Sequence, residues 1–160
     1  MADLRVLGVR LDPNSIAYAV LSGTQLKPVL EADGRIEAPQ TIRCDADALF
    51  WAALSAQDLM KSHHPTHVVL KTTEGLAKGK TAPRNRMEGA FVGGLADLKP
   101  VVEILVWATI TARTKSTLVA KGKSRPTAKN YMNGDYRGVA LKNYSQNVQE
   151  AILAAAAVLP

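Results

Sequence analysis

The residues between Thr66 and Leu95 that can do chemistry are mainly cations. The stretch reads THVVLKTTEGLAKGKTAPRNRMEGAFVGGL and places Lys71, Lys78, Lys80, Arg84 and Arg86 within a short span. Cations at this density attract anions, phosphate groups above all. Gly75 to Thr81 has the outline of a phosphate-binding P-loop, but three residues separate its glycines where the motif needs four for its backbone amides to wrap a phosphate. Phosphate contact through Lys78 and Lys80 does not require that wrapping. His63, His64 and His67 lie close in sequence without a cysteine or carboxylate at usual spacing to complete a zinc site, so they read as turn histidines. Cys44 is the single cysteine, which excludes an internal disulfide and any multi-cysteine metal cluster. No Ser or Cys triad spacing stands out.

A second cationic stretch runs from Arg113 to Lys142, where Arg113, Lys115, Lys121, Lys123, Arg125, Lys129, Arg137 and Lys142 face one acid, Asp135. Tyr131, Tyr136 and Tyr144 interleave with these cations. That composition fits a surface that grips phosphates and stacks on bases, and fits equally well ordinary loop packing by tyrosines. Residues 71–142 hold 14 of the 20 Lys and Arg against 5 acidic residues, a balance of +9, while the whole chain carries +6. A basic half on a near-neutral scaffold points to nucleic acid as partner; the competing reading is a solvated lysine-rich surface.

Elements that position these groups follow from periodicity. Leu4–Leu11 reads as a strand, Asp12-Pro13-Asn14 as a turn and Ser15–Ser22 as its hairpin partner, with a third strand within Lys27–Ala38. Asp45 or Asp47 caps a helix carrying Leu49, Ala52, Ala56, Leu59 and Met60 on one face. Thr66–Lys71 is a buried strand. A helix follows from Met87 to Lys99, its start delayed by Pro83, and Val101–Ala108 is a further strand. Arg113–Lys142 is irregular, and Ser145 caps a last helix whose Val148, Ala151, Ile152, Ala155 and Leu159 face inward. Trp51 and Trp107 suit a core or a dimer face, remote from the basic segment. Glu88 sits one turn from Arg84, the spacing of a surface ion pair. Gly93-Gly94 within a helix implies close approach of its backbone to the sheet. With 47% hydrophobic and 21% charged residues the chain reads as one folded domain over 1–160, without a signal peptide or membrane span, and cytoplasmic.

The order β-β-β-α-β-α-β-(basic segment)-α describes an α/β, ribonuclease H-like fold. A three-stranded antiparallel meander precedes alternating helices and strands, giving a mixed sheet of about five strands with helices on both faces. VLGVRLDPNSIAYAVL resembles the opening of RuvC-like Holliday-junction resolvases, with Gly8-Val9 and Ala17-Tyr18-Ala19-Val20 in the places of the family's motifs. His67–Lys71 resembles the strand that ends in a catalytic Glu, and Gln149-Glu150-Ala151-Ile152 the start of the helix that carries a catalytic Asp. Gly8-Val9-X-Leu11-X-X-Asn14, Lys78-Gly79-Lys80, Arg86-Met87-Glu88-Gly89-Ala90 and Gln149-Glu150 further resemble a small bacterial family of unknown function in the same clan.

Nucleases of this fold hold two divalent ions between carboxylates. The resemblance places Arg10, or its neighbour Asp12, at the first carboxylate position, Lys71 at the second and Glu150 at the third. It therefore implies a degenerate site of Arg10, Lys71 and Glu150 with no metal or other cofactor, on a non-catalytic nucleic-acid-binding or accessory protein. Lys71, Lys78, Lys80, Arg84 and Arg86 form one contact set and Arg113–Lys142 another, both acting on phosphate without reading sequence. The alternative is a Mg²⁺- or Mn²⁺-dependent nuclease with displaced carboxylates, its catalytic residues being Asp12, Glu74 and Glu150; a third reading is a structural or protein-interaction subunit. The family also implies a homodimer.

Overall fold

In the computed structural model, residues 4–73, 81–115 and 127–160 are described here. Glu74, Lys78, Lys80, Lys121, Lys123 and Arg125 lie outside them, with most of the P-loop-like stretch. Five strands form one mixed sheet: β1 (Val6–Asp12), β2 (Ser15–Thr24), β3 (Lys27–Glu37), β4 (His67–Lys71) and β5 (Val101–Leu105), in the order β3-β2-β1-β4-β5. The β1–β2 and β2–β3 pairs are antiparallel, and β1–β4 and β4–β5 are parallel. The expected meander and the alternating order after it are therefore present. The helices are α1 (Asp45–His63), α2 (Thr81–Gly94), α3 (Trp107–Arg113) and α4 (Gln146–Ala156). None of the described helices is long and apolar enough to cross a membrane.

Alternation along the strands sorts the sheet into two faces. Leu7, Val9 and Leu11 of β1 and Val68 and Leu70 of β4 join Ala52, Ala56 and Leu59 of α1, Met87 and Phe91 of α2 and Leu95 just after it in one buried cluster. Val6 and Val69 point the other way and pack with Ala151, Ile152 and Ala155 of α4. On that second face Gly8 is what lets α4 come close, because a Cβ there would lie 2.0 Å from the carbonyl oxygen of Ala151. Arg10 and Asp12 on β1 and Lys71 on β4 continue the same face by the period of two. The strand pairing thus aims all three at α4.

The periodic reading needs correction at three places. Val101–Ala108 was expected as one strand; the strand ends at Leu105 and α3 begins at Trp107. The run is rich in β-branched residues, which blurs the boundary, while Ile110 and Thr114 repeat at helical spacing and are fully buried. Helix α2 starts at Thr81, ahead of the expected Met87. Pro83 thus occupies its first turn, where a missing N–H removes no helical bond. Gly94 approaches α1 instead of the sheet, a Cβ there lying 2.4 Å from Ala53 O, whereas a Cβ on Gly93 would meet nothing within 4 Å. At the helix starts, Cys44 stands at the N-cap of α1 and Ser145 at that of α4, neither with a side-chain cap bond.

Candidate functional site

Where the parallel strands β1 and β4 end, Arg10 meets Glu150 and the main chain of Lys71. Arg10 Nε lies 2.8 Å from Glu150 Oε2, and the two side chains are 9% and 7% exposed. Neither atom has a hydrogen-bond partner, so the contact is ionic and not an aligned hydrogen bond. Arg10 also donates through an Nη to Lys71 O at 3.0 Å. Burial pulls the pKa of Arg10 below its ordinary value, and the charge of Glu150 pulls it back up. The Lys71 ammonium donates to Thr72 O at 2.6 Å and sits 4.9 Å from the centre of the Trp107 ring. A cation over an indole face is stabilised by the ring quadrupole.

A second set surrounds Asp12 at the same edge. Arg84, from the first turns of α2, forms an ion pair with Asp12 Oδ1, and Asn147 of α4 donates to Asp12 Oδ2. Arg84 donates its other Nη to Thr73 Oγ1 at 2.8 Å. Glu88, one turn further along α2, accepts from Thr72 Oγ1 at 2.8 Å and is 6% exposed. It is not the surface partner of Arg84 that the spacing suggested. Its Oε1 is buried without a hydrogen-bond partner. Burial raises the pKa of Glu88 above the usual glutamate value, while the Thr72 hydrogen bond and then Arg10, Arg84 and Lys71 hold it down.

The other expected contact residues are dispersed. Arg86 is exposed and pairs with Asp45 at 3.1 Å. Arg113 closes α3 and pairs with Glu103 at 2.6 Å. Arg137 donates to the carbonyls of Gln25 and Thr114, so it staples loops together. Lys115, Lys129 and Lys142 are exposed. Tyr136 is fully buried and meets Tyr131 edge-on at 4.9 Å, which removes it from any base-stacking surface; Tyr144 is half-buried. His63 packs against Tyr18, His64 closes α1 in the left-handed region at φ 47° and His67 meets Thr66. Among the described residues no group of three or more His, Cys, Asp or Glu is arranged to hold a metal ion.

Sequence reasoning missed Trp107, Asn147 and Thr72. Trp107, which the sequence assigns to a core or a dimer face, carries Lys71 over its ring, because α3 turns back at the end of β5. Asn147 had one available signal, its position three residues before Glu150, which puts both on one face of a helix. Thr72 showed none.

No protein-family model matches the chain, and no curated protein is similar to it in sequence. Its backbone superposes on solved structures throughout. RuvC of Thermus thermophilus aligns with a TM-score of 0.75 at 12% identity over 96% of this chain and 92% of that one, and the same protein in complex with a Holliday junction substrate aligns at 0.72. The fold is RuvC-like. The yeast mitochondrial Holliday junction resolvase follows at 0.66, 15% identity and 96% of this chain against 77% of that one. The fowlpox virus resolvase, solved with Holliday junction DNA, aligns at 0.53, 16% identity and 95% against 94%. In this RuvC-like chain the edge that joins β1, β4 and α4 carries Arg10 beside Glu150 and bonded to the main chain of Lys71, with Asp12 already held by Arg84 and Asn147.

Proposed function

We propose that this protein is a nucleic-acid-binding domain of RuvC-like fold whose own cations occupy the place of metal ions. The observation that carries this is the buried Arg10–Glu150 contact. A divalent ion of the Mg²⁺ type needs several oxygen ligands with room for water. The described residues do not fit that demand. Glu150 faces a guanidinium, both oxygens of Asp12 are engaged, and the remaining buried carboxyl, Glu88, is pushed toward its neutral form. A cluster that meets its charge internally holds the ends of β1, β4 and α4 together and offers no activated water.

Two of the structural neighbours named above, the Thermus thermophilus and fowlpox virus proteins, were solved with Holliday junctions, which makes branched DNA the first partner to test for this chain. Exposed Lys115, Lys129 and Lys142, with Arg86, supply phosphate contacts that do not read sequence. A homodimer belongs to the same reading. The full chain, incubated with four-way junctions, single strands and duplexes with and without Mg²⁺ or Mn²⁺, is expected to bind without cutting. Binding should weaken steeply as salt rises, since it works through displaced counterions. Metal-dependent cleavage that disappears in Glu150→Ala establishes the nuclease of Asp12, Glu74 and Glu150 instead. Failure to bind any nucleic acid leaves the structural-subunit reading.

A further inference from the structure

A cleft of about 570 Å³ lies between the β1–β2 turn, the loop entering α1 and the start of α2. We propose that it is a pocket for one unpaired nucleobase of a bound strand; this rests on the nucleic-acid reading above and deepens it. Pro13, Pro39, Pro83, Leu49 and Met87 line it with apolar surface. Such surface accepts the flat face of a base, and three proline rings hold their shape without losing rotamer freedom. Asn14 and Gln40 also line the cleft. Carboxamides carry both donors and acceptors, the pairing chemistry that base edges present.

The lining charges favour a strand over a neutral small molecule. Arg43 and Arg86 outnumber Asp45 among them. Arg86 is bonded to Asp45 at 3.1 Å, but the two side chains are 59% and 86% exposed. An ion pair that wet is weak, so a phosphate flanking the base can take Arg86 over at small cost. The volume is within the range of small-ligand sites and is far too small for a duplex. A paired base has its edge and both faces occupied, so only an extruded or single-stranded one can enter. Branch points and single strands supply such bases; intact duplexes do not.

The test compares affinities of the full chain for a single-stranded or bulged DNA and a fully paired duplex of equal phosphate number, at one salt concentration. 2-Aminopurine placed at the unpaired position reports where that base goes. The unpaired form is expected to bind roughly five- to a hundredfold tighter, the range one stacked base supplies. Its 2-aminopurine emission should change on binding. Ala48→Phe, which fills the cleft from α1, and the double variant Asn14→Ala/Gln40→Ala should each bring the ratio of the two affinities close to one. The double variant keeps the test usable if Ala48→Phe does not fold, which far-UV circular dichroism checks. Equal affinities in the wild type, or a ratio that survives both variants, overturn the pocket and leave nucleic-acid binding standing. Absence of binding to every DNA overturns both.

Discussion

Removing one partner of the Arg10–Glu150 contact should cost far more than removing both. The side chains are 9% and 7% exposed, so Glu150→Gln leaves a guanidinium charge almost out of water with no counter-charge at 2.8 Å. Stripping a buried pair of one member costs about 3–5 kcal/mol. Against the roughly 5–15 kcal/mol that holds a domain together, that is a large share. It corresponds to a fall in Tm of about 6–20 °C, at about 2–4 °C per kcal/mol for a chain of this size. The contact is ionic and unaligned, which places the expected loss near the lower end of that range. Arg10→Met/Glu150→Leu replaces both charges by apolar groups of similar reach, and such replacements range from neutral to a gain of about 1–4 kcal/mol. Urea unfolding of the wild type, Arg10→Met, Glu150→Leu and the double variant reads all four corners of the cycle, with Glu150→Gln measured beside them. A loss in Glu150→Gln within about 0.5 kcal/mol of zero, the level of an ordinary surface change, would refute the buried-pair reasoning. So would a double variant whose loss is the sum of the singles.

Other expectations rest on single contacts. Glu88 has a folded-state pKa above its unfolded value, so its neutral form contributes stability that is fully present below the ordinary glutamate pKa and is lost as pH rises through the raised value. Glu88→Gln should therefore flatten the decline in urea midpoint from weakly acid to neutral pH, and an unchanged decline would place the titrating group elsewhere. Gly94→Ala forces a Cβ to within 2.4 Å of Ala53 O and should destabilise by about 1–3 kcal/mol. Gly93→Ala, with nothing within 4 Å, should stabilise by about 0.5–1 kcal/mol, and thermal melts of the pair should move in opposite directions. Lys129→Ala/Lys142→Ala should reduce the slope of log affinity against log salt by about 2, one for each lost phosphate contact; an unaltered slope would put the contacts on another face.

The strand alternation of β1 and β4 and the apolar face of α4 were legible because side-chain period is a local property. A two-residue period and an inward helix face already place Arg10, Lys71 and Glu150 on facing surfaces; Arg10 meets Glu150 and the main-chain carbonyl of Lys71, while the Lys71 ammonium turns to Thr72 and Trp107. Charge type was equally legible, since β1 carries Arg10 and β4 ends on Lys71. Tertiary structure alone decided which partner each cation takes. Arg84 reaches Asp12 across a sequence separation of 72, and Arg137 reaches Gln25 across 112, distances over which no local pattern carries information. The turn from β5 into α3 was hidden for a different reason. VVEILVWATIT is apolar and β-branched enough for either state, and burial of Ile110 in the cluster that holds α4 goes with a helix from Trp107. Glu88 shows the same division. Its position on α2 follows from the sequence, whereas its burial against Thr72, and hence its altered acidity, exists only once α2 has docked on the end of β4.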